Sequence, residues 1–192
     1  MVYVEEHVNE FDLQAGLRKI SEQRREQALR FKHELGQRTC VLAYLLLKRA
    51  LLREYGITEN PLFEYGENGK PILAFHPEIH FNLSHCREAV ACVVSDRPVG
   101  IDVESVREYK ESLAAYTMNE QELASIVSAE RPDVAFIRLW TMKEARLKLT
   151  GEGISNDIKN VLDDRDRWTF TTVERLERNY IYTLCEEKVI GK

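Results

Sequence analysis

The hydrophobic positions in the first half of the chain predict one long helix flanked by short strands. Leucines and valines recur at the spacing of one helix face between residues 35 and 55, and Gly56 follows as a helix-ending residue. A charged segment over 21–30 predicts a further helix. Short apolar runs predict strands at 1–4, 79–83 and 89–94, and the sequence from Asn68 to Pro71 predicts a turn.

The second half repeats this order in outline. Residues 99–103 predict a strand, and Asn119 is the expected N-cap of a helix that runs towards residue 129. Pro132 then starts a longer helix that ends near Gly151. Residues 168–173 and 180–184 predict an antiparallel strand pair. The two halves share no residue-level repeat, so the order of elements alone suggests a duplicated subdomain, with a ligand cleft between the copies.

The composition is that of a folded protein with a core of its own. The chain has 192 residues, of which 44% are hydrophobic, enough for one sizeable domain or two small ones. No segment approaches the roughly 20 apolar residues of a membrane span, and the N-terminus lacks the features of a signal peptide. We therefore expect a cytoplasmic protein that does not bind membranes. The four cysteines form no Cys-x-x-Cys pair, and we expect reduced thiols, with Cys40 and Cys92 buried.

The charge is unevenly distributed along the chain. The net charge of −5 argues against a nucleic-acid-binding protein. Between Arg18 and Arg53, however, 10 Lys and Arg residues face 3 Asp and Glu residues. This basic excess indicates a local anion site or an acidic partner, and a solvated helix face remains an alternative interpretation.

Two acidic segments carry the strongest chemical signal. Asp102 and Glu104 are two residues apart in a predicted strand, so both side chains leave the same face. Lys143, Glu144 and Lys148 follow at helical spacing about forty residues later. Three converging carboxylates can hold Mg²⁺, and lysines can hold phosphate oxygens, which indicates chemistry on a phosphate ester or anhydride. The alternatives are an outward-facing acidic strand and a surface pair between Glu144 and Lys148.

Two further segments could contribute to an anion site. Ser84 and His85 lie at the end of a predicted strand, where both side chains can donate to a phosphate. Arg38 and Thr39 lie near the start of the long first-half helix, a position that suits an anion. A turn capped by Ser84 and a surface charge cluster around Arg38 explain the same residues without a ligand.

Taken together, these segments resemble the 4'-phosphopantetheinyl transferases, specifically the Sfp-type branch. The resemblance covers residues 24–153, and five motifs occur in the family's order. These are Arg38-Thr39, Gly69 to Pro71, Phe81 to His85, Gly100 to Glu104 and Trp140 to Lys148. The resemblance implies an α+β fold, a pseudo-dimer of two similar α/β subdomains with coenzyme A between them. An N-terminal subdomain over 1–98 would hold the 3'-phosphate and adenine, and a C-terminal subdomain over 99–192 would hold Mg²⁺ and the catalytic residues.

The resemblance also implies an activity. Such enzymes transfer the 4'-phosphopantetheine arm of coenzyme A to a serine of an acyl or peptidyl carrier protein and release 3',5'-ADP. By the same resemblance, the enzyme would be a Mg²⁺-dependent holo-acyl-carrier-protein synthase and a monomer. The sequence leaves open whether the carrier belongs to fatty acid, polyketide or peptide synthesis.

Site residues are carried over from the motifs. Asp102, Glu104 and Glu144 would hold Mg²⁺, with Glu144 as general base. Lys148 would assist the leaving phosphate, and Lys143 and Lys148 would contact the pyrophosphate oxygens. The residues implied for the 3'-phosphate are Arg38, Thr39 and His85, with Ser84 close by and Arg24 at a further basic position, whereas Gly69, Lys70 and Pro71 would flank the adenine. Another basic position of the family falls on Gln27 here, and Arg25 or Lys32 could replace it.

Two other functions fit the same residues. One is another Mg²⁺-dependent phosphoryl-transfer enzyme, although the chain lacks the Gly-x-x-x-x-Gly-Lys-Ser/Thr loop of the P-loop nucleotide hydrolases. The other is a non-catalytic module that binds coenzyme A or a carrier protein. A pure binding module does not need the combination of Asp102, Glu104, Glu144 and Lys148, which favours an enzyme.

Overall fold

A computed structural model describes residues 1–66, 68–153 and 157–189. Its α-helices are α1 (Leu13–Leu17), α2 (Glu22–Leu29), α3 (Glu34–Tyr55), α4 (Glu111–Thr117), α5 (Glu120–Val127) and α6 (Pro132–Thr150). Its strands are β1 (Val2–Glu5), β2 (Phe63–Tyr65), β3 (Pro71–Leu73), β4 (His80–His85), β5 (Val90–Ser95), β6 (Val99–Ser105), β7 (Trp168–Arg175) and β8 (Tyr180–Glu187). None of the helices in this part of the chain is long and apolar enough to cross a membrane.

The first half is a three-stranded antiparallel sheet covered by the long helix α3. The strand order is β1-β5-β4, and a separate hairpin pairs β2 with β3. Leu46, Leu47 and Ala50 of α3 are buried together with Cys92 and Val94 of the central strand. Gly56 ends the helix in the left-handed conformation, with φ of 70°.

The second half repeats this topology. Its strand order is β6-β8-β7, again antiparallel, with the first strand at one edge and the last strand in the centre. The helix α6 covers this sheet as α3 covers the first. Each half is therefore an edge strand, helices and a returning hairpin, which confirms an α+β fold. The subdomain boundary at residues 98 and 99 stays a prediction.

The two sheets meet through the faces that point away from their helices. Ala91 and Val93 of β5 are buried in one cluster with Ile101 and Val103 of β6. Beside this cluster, Asn82 of β4 accepts a hydrogen bond from the Ile101 backbone N–H at 3.2 Å. Ser84 accepts one from Val103 N–H at 3.1 Å. The two polar side chains of β4 thus satisfy backbone donors of the edge strand β6 and join the halves.

Gly100 allows α6 to lie directly on β6. A Cβ at this position would overlap the carbonyl oxygen of Ala145 and lie 2.6 Å from the backbone nitrogen of Leu149. Because side chains alternate along a strand, Asp102 and Glu104 share the face of Gly100 and point towards α6. This close approach places both carboxylates beside the helix that carries Glu144 and Lys148.

A second polar junction lies where β1 ends. The Tyr180 hydroxyl donates to Glu6 Oε1 at 2.6 Å, and Arg175 approaches the same oxygen at 3.3 Å. Arg178 reaches the other oxygen of Glu6 at 3.9 Å. The hydrogen bond to Tyr180 and the two guanidinium groups lower the pKa of Glu6 despite some desolvation. The end of the first strand is thereby fixed to the C-terminal hairpin.

Candidate active site

Ser84, Asp102 and Lys148 form a polar cluster at the junction of the two halves. The Lys148 ammonium donates to Asp102 Oδ1 at 2.6 Å and to Ser84 Oγ at 2.9 Å. The Ser84 hydroxyl donates to the same Asp102 oxygen at 2.8 Å. Asp102 is only 3% exposed, so its charge depends on these contacts for stabilisation. A surface pair between Glu144 and Lys148 was the alternative interpretation of these residues, and the structure instead pairs Lys148 with Asp102.

Two more carboxylates lie around this cluster. Burial is the largest cause that raises the pKa of Glu144, and the negative charges of Asp102 and Glu104 add to it. The pKa of Glu104 is raised by burial and by Asp102, although the indole N–H of Trp140 donates to its Oε1 at 3.3 Å. Both groups therefore hold protons more tightly than exposed glutamates do.

The same carboxylates suit a hard divalent cation. Asp102 Oδ2 and Glu144 Oε1 are buried and have no hydrogen-bond partner among the residues described. Carboxylate oxygens are the ligands that Mg²⁺ prefers in proteins, and a cation would satisfy both atoms. Within the described ranges, however, no three His, Cys, Asp or Glu side chains already stand at metal-binding distance. The donor set fits the ion, and the coordination would be completed as ligands bind.

A cavity of about 280 Å³ opens beside Glu144 and Lys148. Its other wall is the turn between β2 and β3, where Asn68, Gly69, Lys70 and Pro71 line it. This turn is fixed to the end of α6, because Lys70 donates to the Leu149 carbonyl at 2.6 Å and Asn68 donates to the Gly151 carbonyl at 2.9 Å. The cavity therefore lies between the halves, with the predicted adenine-flanking residues on one side and the predicted catalytic residues on the other.

His85 and Arg24 lie near this cluster. His85 follows the buried Ser84 as the exposed last residue of β4. Desolvation and the nearby charges of Lys148 and Arg24 lower the pKa of His85. Arg24 lies over the rings of Tyr44 and Phe63 and donates to the Cys40 carbonyl at 3.1 Å. Arg24 supplies the positive charge of this pair, and the imidazole of His85, whose lowered pKa favours the neutral form, can donate a hydrogen bond to an anion.

Arg38 and Thr39 are not brought to this cavity. Arg38 pairs with Glu34 at 2.7 Å, donates to the Asn9 carbonyl, and lines a different cavity with Asp12 and Lys32. Thr39 is 2% exposed and donates to the Gly36 carbonyl of its own helix at 3.1 Å. The structure does not assemble Arg38, Thr39 and His85 into one anion site, because the first two are occupied by contacts around α3.

Lys143 requires a correction. The resemblance assigns it to phosphate oxygens, but the structure buries its side chain completely on another face of α6. Its ammonium pairs with Glu122 at 2.8 Å and donates to the carbonyls of Ile158 and Lys159, each at 2.9 Å. Three protein acceptors thus take up its three N–H donors, and none is directed at the cavity.

Sequence reasoning missed several residues that shape the site. Asn82 and Trp140 hold β6 and Glu104 in place, and Asn68 holds the turn against α6. Asn82 and Trp140 lie within recognised motifs, but their partners are distant in sequence. The sequence around Asn68 indicates only a turn, because the carbonyl that accepts its hydrogen bond lies 83 positions away. Local patterns carry no signal for such contacts.

Comparison with known proteins defines the class. Residues 98–190 match the family model of the 4'-phosphopantetheinyl transferase superfamily. The chain is 31% identical over 173 residues to 4'-phosphopantetheinyl transferase gsp of Aneurinibacillus migulanus, an alignment that covers 88% of this chain and 72% of the relative. The chain therefore belongs to the 4'-phosphopantetheinyl transferase superfamily.

Two further relatives are similar over most of the chain. 4'-phosphopantetheinyl transferase psf-1 of Bacillus pumilus is 37% identical over 139 residues, which cover 71% of this chain and 60% of the relative. 4'-phosphopantetheinyl transferase Sfp of Bacillus subtilis strain 168 is 27% identical over 157 residues, which cover 80% of this chain and 70% of the relative. These matches confirm the resemblance to the Sfp-type branch.

Proposed function

We propose that this protein transfers the 4'-phosphopantetheine arm of coenzyme A to a serine of an acyl or peptidyl carrier protein and releases 3',5'-ADP. The observation that carries the proposal is the cluster of Asp102, Ser84 and Lys148 beside the half-buried Glu144, because Lys148 and Glu144 line a cavity between the halves. Membership of the transferase superfamily supports the same reaction.

The proposed base is Glu144. A serine hydroxyl must lose its proton as its oxygen attacks the β-phosphate of coenzyme A. Glu144 lines the cavity beside Lys148, which places its carboxylate where it can take up this proton. If the buried Oε1 of Glu144 holds the cation, the other carboxylate oxygen accepts the proton, directly or through a water.

The proposed electrostatic catalyst is Lys148. Its ammonium is placed by Ser84 and Asp102 on the cavity wall, and a fixed positive charge stabilises the leaving phosphate of 3',5'-ADP. We assign Gly69, Lys70 and Pro71 to the adenine, because they line the opposite wall. We retain His85 and Arg24 as candidates for the 3'-phosphate, because His85 lies within electrostatic range of Lys148 and Asp102, and Arg24 lies within range of His85.

We assign Asp102, Glu104 and Glu144 to a bound Mg²⁺. Such an ion would neutralise charge on the pyrophosphate oxygens. Before the ion binds, the Lys148 ammonium balances the charge of Asp102, which explains how three carboxylates coexist in a half-buried site. The proposal further includes a cytoplasmic monomer with a subdomain boundary at residues 98 and 99.

The direct test is the intact mass of an apo carrier protein after incubation with this protein, coenzyme A and Mg²⁺. We expect the mass to rise by one phosphopantetheine group and to stay unchanged with EDTA. Carriers from fatty acid, polyketide and peptide synthesis should be compared side by side. An unchanged mass for every carrier, despite measurable coenzyme A binding, would identify a binding module instead.

A further inference from the structure

Lys143 and Glu144 are adjacent in the sequence, but their side chains lie on different faces of α6. Consecutive residues of an α-helix are rotated by about 100° around its axis. Trp140, Glu144 and Lys148 follow one another at intervals of four, and all three face the cluster around Asp102 and Glu104. Lys143 instead points to α5 and to the helical turn Ile158–Asn160. The rotation of α6 that directs Glu144 to the cluster is therefore the one that buries Lys143.

Glu122 is the partner that requires a positive charge in this position. It is the third residue of α5, and its Oε2 accepts from both the Asn119 backbone N–H at 2.9 Å and the Lys143 ammonium at 2.8 Å. Its Oε1 is buried and has no hydrogen-bond partner in the described ranges. The glutamate side chain is 10% exposed, and the lysine side chain is fully buried. Removal of either charge would leave the other buried and uncompensated.

The Lys143 ammonium also fixes the helical turn Ile158–Asn160, which follows α6 in the sequence. The carbonyls of Ile158 and Lys159 accept from it, and Ile158 packs in one cluster with Met142 and Leu147 of α6. Leu147 itself lines the cavity. Lys143 thus holds together α5, α6 and the turn at 158–160, directly behind the helix face that carries the proposed base.

From this geometry we infer that Lys143 is a positioning residue for the reaction. Its ion pair with Glu122 sets the rotation of α6 and thereby the place of Glu144, and its ammonium does not touch coenzyme A. The inference rests on the proposed function for its kinetic test. The inference gives the two lysines of the motif between Trp140 and Lys148 different roles. Lys148 would contact the substrate, whereas Lys143 contacts only groups of the protein.

The test is a double-mutant cycle of wild type, Glu122→Gln, Lys143→Met and the double variant. The glutamine keeps an acceptor for the Asn119 backbone, and the methionine keeps the length of the lysine stem. We expect Lys143→Met alone to lower kcat about tenfold or more, with a coenzyme A KM close to wild type, because misplacement of a catalytic group affects mainly the chemical step. In the double variant no buried charge is left, so kcat should return to within about threefold of wild type.

The matched control is Lys148→Met, made with and without Glu122→Gln. Both lysines lie on α6, but Lys148 faces the cavity, so loss of Glu122's charge should not restore its activity. An equal rise of the coenzyme A KM for Lys143→Met in both Glu122 backgrounds would overturn the inference and make Lys143 a substrate contact. A single variant Lys143→Met with normal kcat would overturn it equally.

Two further measurements keep the cycle decisive. If Lys143→Met does not fold, Glu122→Gln and the double variant are compared, and a raised coenzyme A KM in the double variant contradicts the inference. If the wild type transfers nothing, the proposed function fails, and thermal midpoints and coenzyme A affinities of the same proteins replace the kinetics. Independent effects on the midpoints, or a coenzyme A affinity weakened equally in both backgrounds, would then reject the assignment.

Discussion

At the scale of single residues, Lys148 is the group whose contacts most directly link the halves. Its ammonium lies 2.6 Å from Asp102 and 2.9 Å from Ser84, which belong to different sheets. We predict that Lys148→Ala lowers kcat about 100-fold, because a preorganised positive charge on the leaving phosphate is lost. Coenzyme A affinity, measured by calorimetry, should change much less. A large loss of affinity at normal kcat would make Lys148 a binding residue.

The residue scale also shows where sequence reasoning succeeds and where it fails. Strand alternation and helical periodicity are local rules, and they predicted which side chains of β6 and α6 share a face. The structure brings Asp102, Glu104, Glu144 and Lys148 close together, and their assignment to one catalytic site stays a prediction. The same rules could not tell that Lys143 faces away. The position of Lys143 depends on Glu122 and on two backbone carbonyls that are distant in the sequence. A helical lysine has the same local pattern whether it binds a phosphate or pairs with a buried glutamate.

At the scale of elements, Gly100 determines how closely α6 lies on β6. An added Cβ would meet the backbone of α6 at Ala145 and Leu149. We predict that Gly100→Ala costs about 1–3 kcal/mol of unfolding free energy and lowers transfer activity, because the helix with Glu144 and Lys148 is pushed away. Gly66→Ala is the matched control, since its nearest neighbour would be 3.8 Å away. Equal urea midpoints for both variants would contradict this account.

The N-cap of α5 can be tested separately from the ion pair between Glu122 and Lys143. Asn119 and Glu122 form a capping box, with both reciprocal hydrogen bonds at 2.9 Å. We predict that Asn119→Ala lowers the unfolding free energy by about 1 kcal/mol, because a backbone donor loses its partner. Urea denaturation measures the effect, and kcat should stay near wild type. A stability equal to wild type would show that the cap contributes nothing.

Long and strongly marked elements were predictable, and several of the short ones were not. The predicted helices over 35–55 and from Pro132 towards Gly151 are observed as α3 and α6, because apolar periodicity and glycine stops define them. The helices α1 and α4 and the strands β2 and β3 were missed. They have 5, 7, 3 and 3 residues, and segments this short carry too few periodic positions to be recognised.

At the scale of the whole molecule, the order of elements along the chain suggested two similar subdomains. The strand orders β1-β5-β4 and β6-β8-β7 match, because each sheet has its first strand at an edge and its last strand in the centre. The sequence also predicted buried thiols at Cys40 and Cys92, and burial raises the pKa of each. What could not be predicted is how the halves join. Asn82 and Ser84 accept hydrogen bonds from the edge strand β6. Glu6 accepts a hydrogen bond from the C-terminal hairpin, more than 160 positions away. Such contacts arise only when the two halves pack together.

The junction at Glu6 should contribute stability that depends on pH. The pKa of Glu6 is lowered in the folded state by Tyr180, Arg175 and Arg178, so the folded protein favours the charged form. This contribution is present above the unfolded pKa, about 4.5, and is lost as pH falls through the folded value. Glu6→Gln should therefore be less stable than wild type at neutral pH, and the difference should vanish in acid. A constant difference across pH would contradict the assignment.

The measurement that tests the central claim most directly compares Glu144→Gln with wild type in a single-turnover transfer to an apo carrier protein, followed by intact mass, with coenzyme A affinity measured in parallel. The account predicts that the variant folds, binds coenzyme A within about threefold of wild type and adds almost no phosphopantetheine, because the proton acceptor is lost. Near-normal transfer by Glu144→Gln would show that the chemistry does not take place at this cluster.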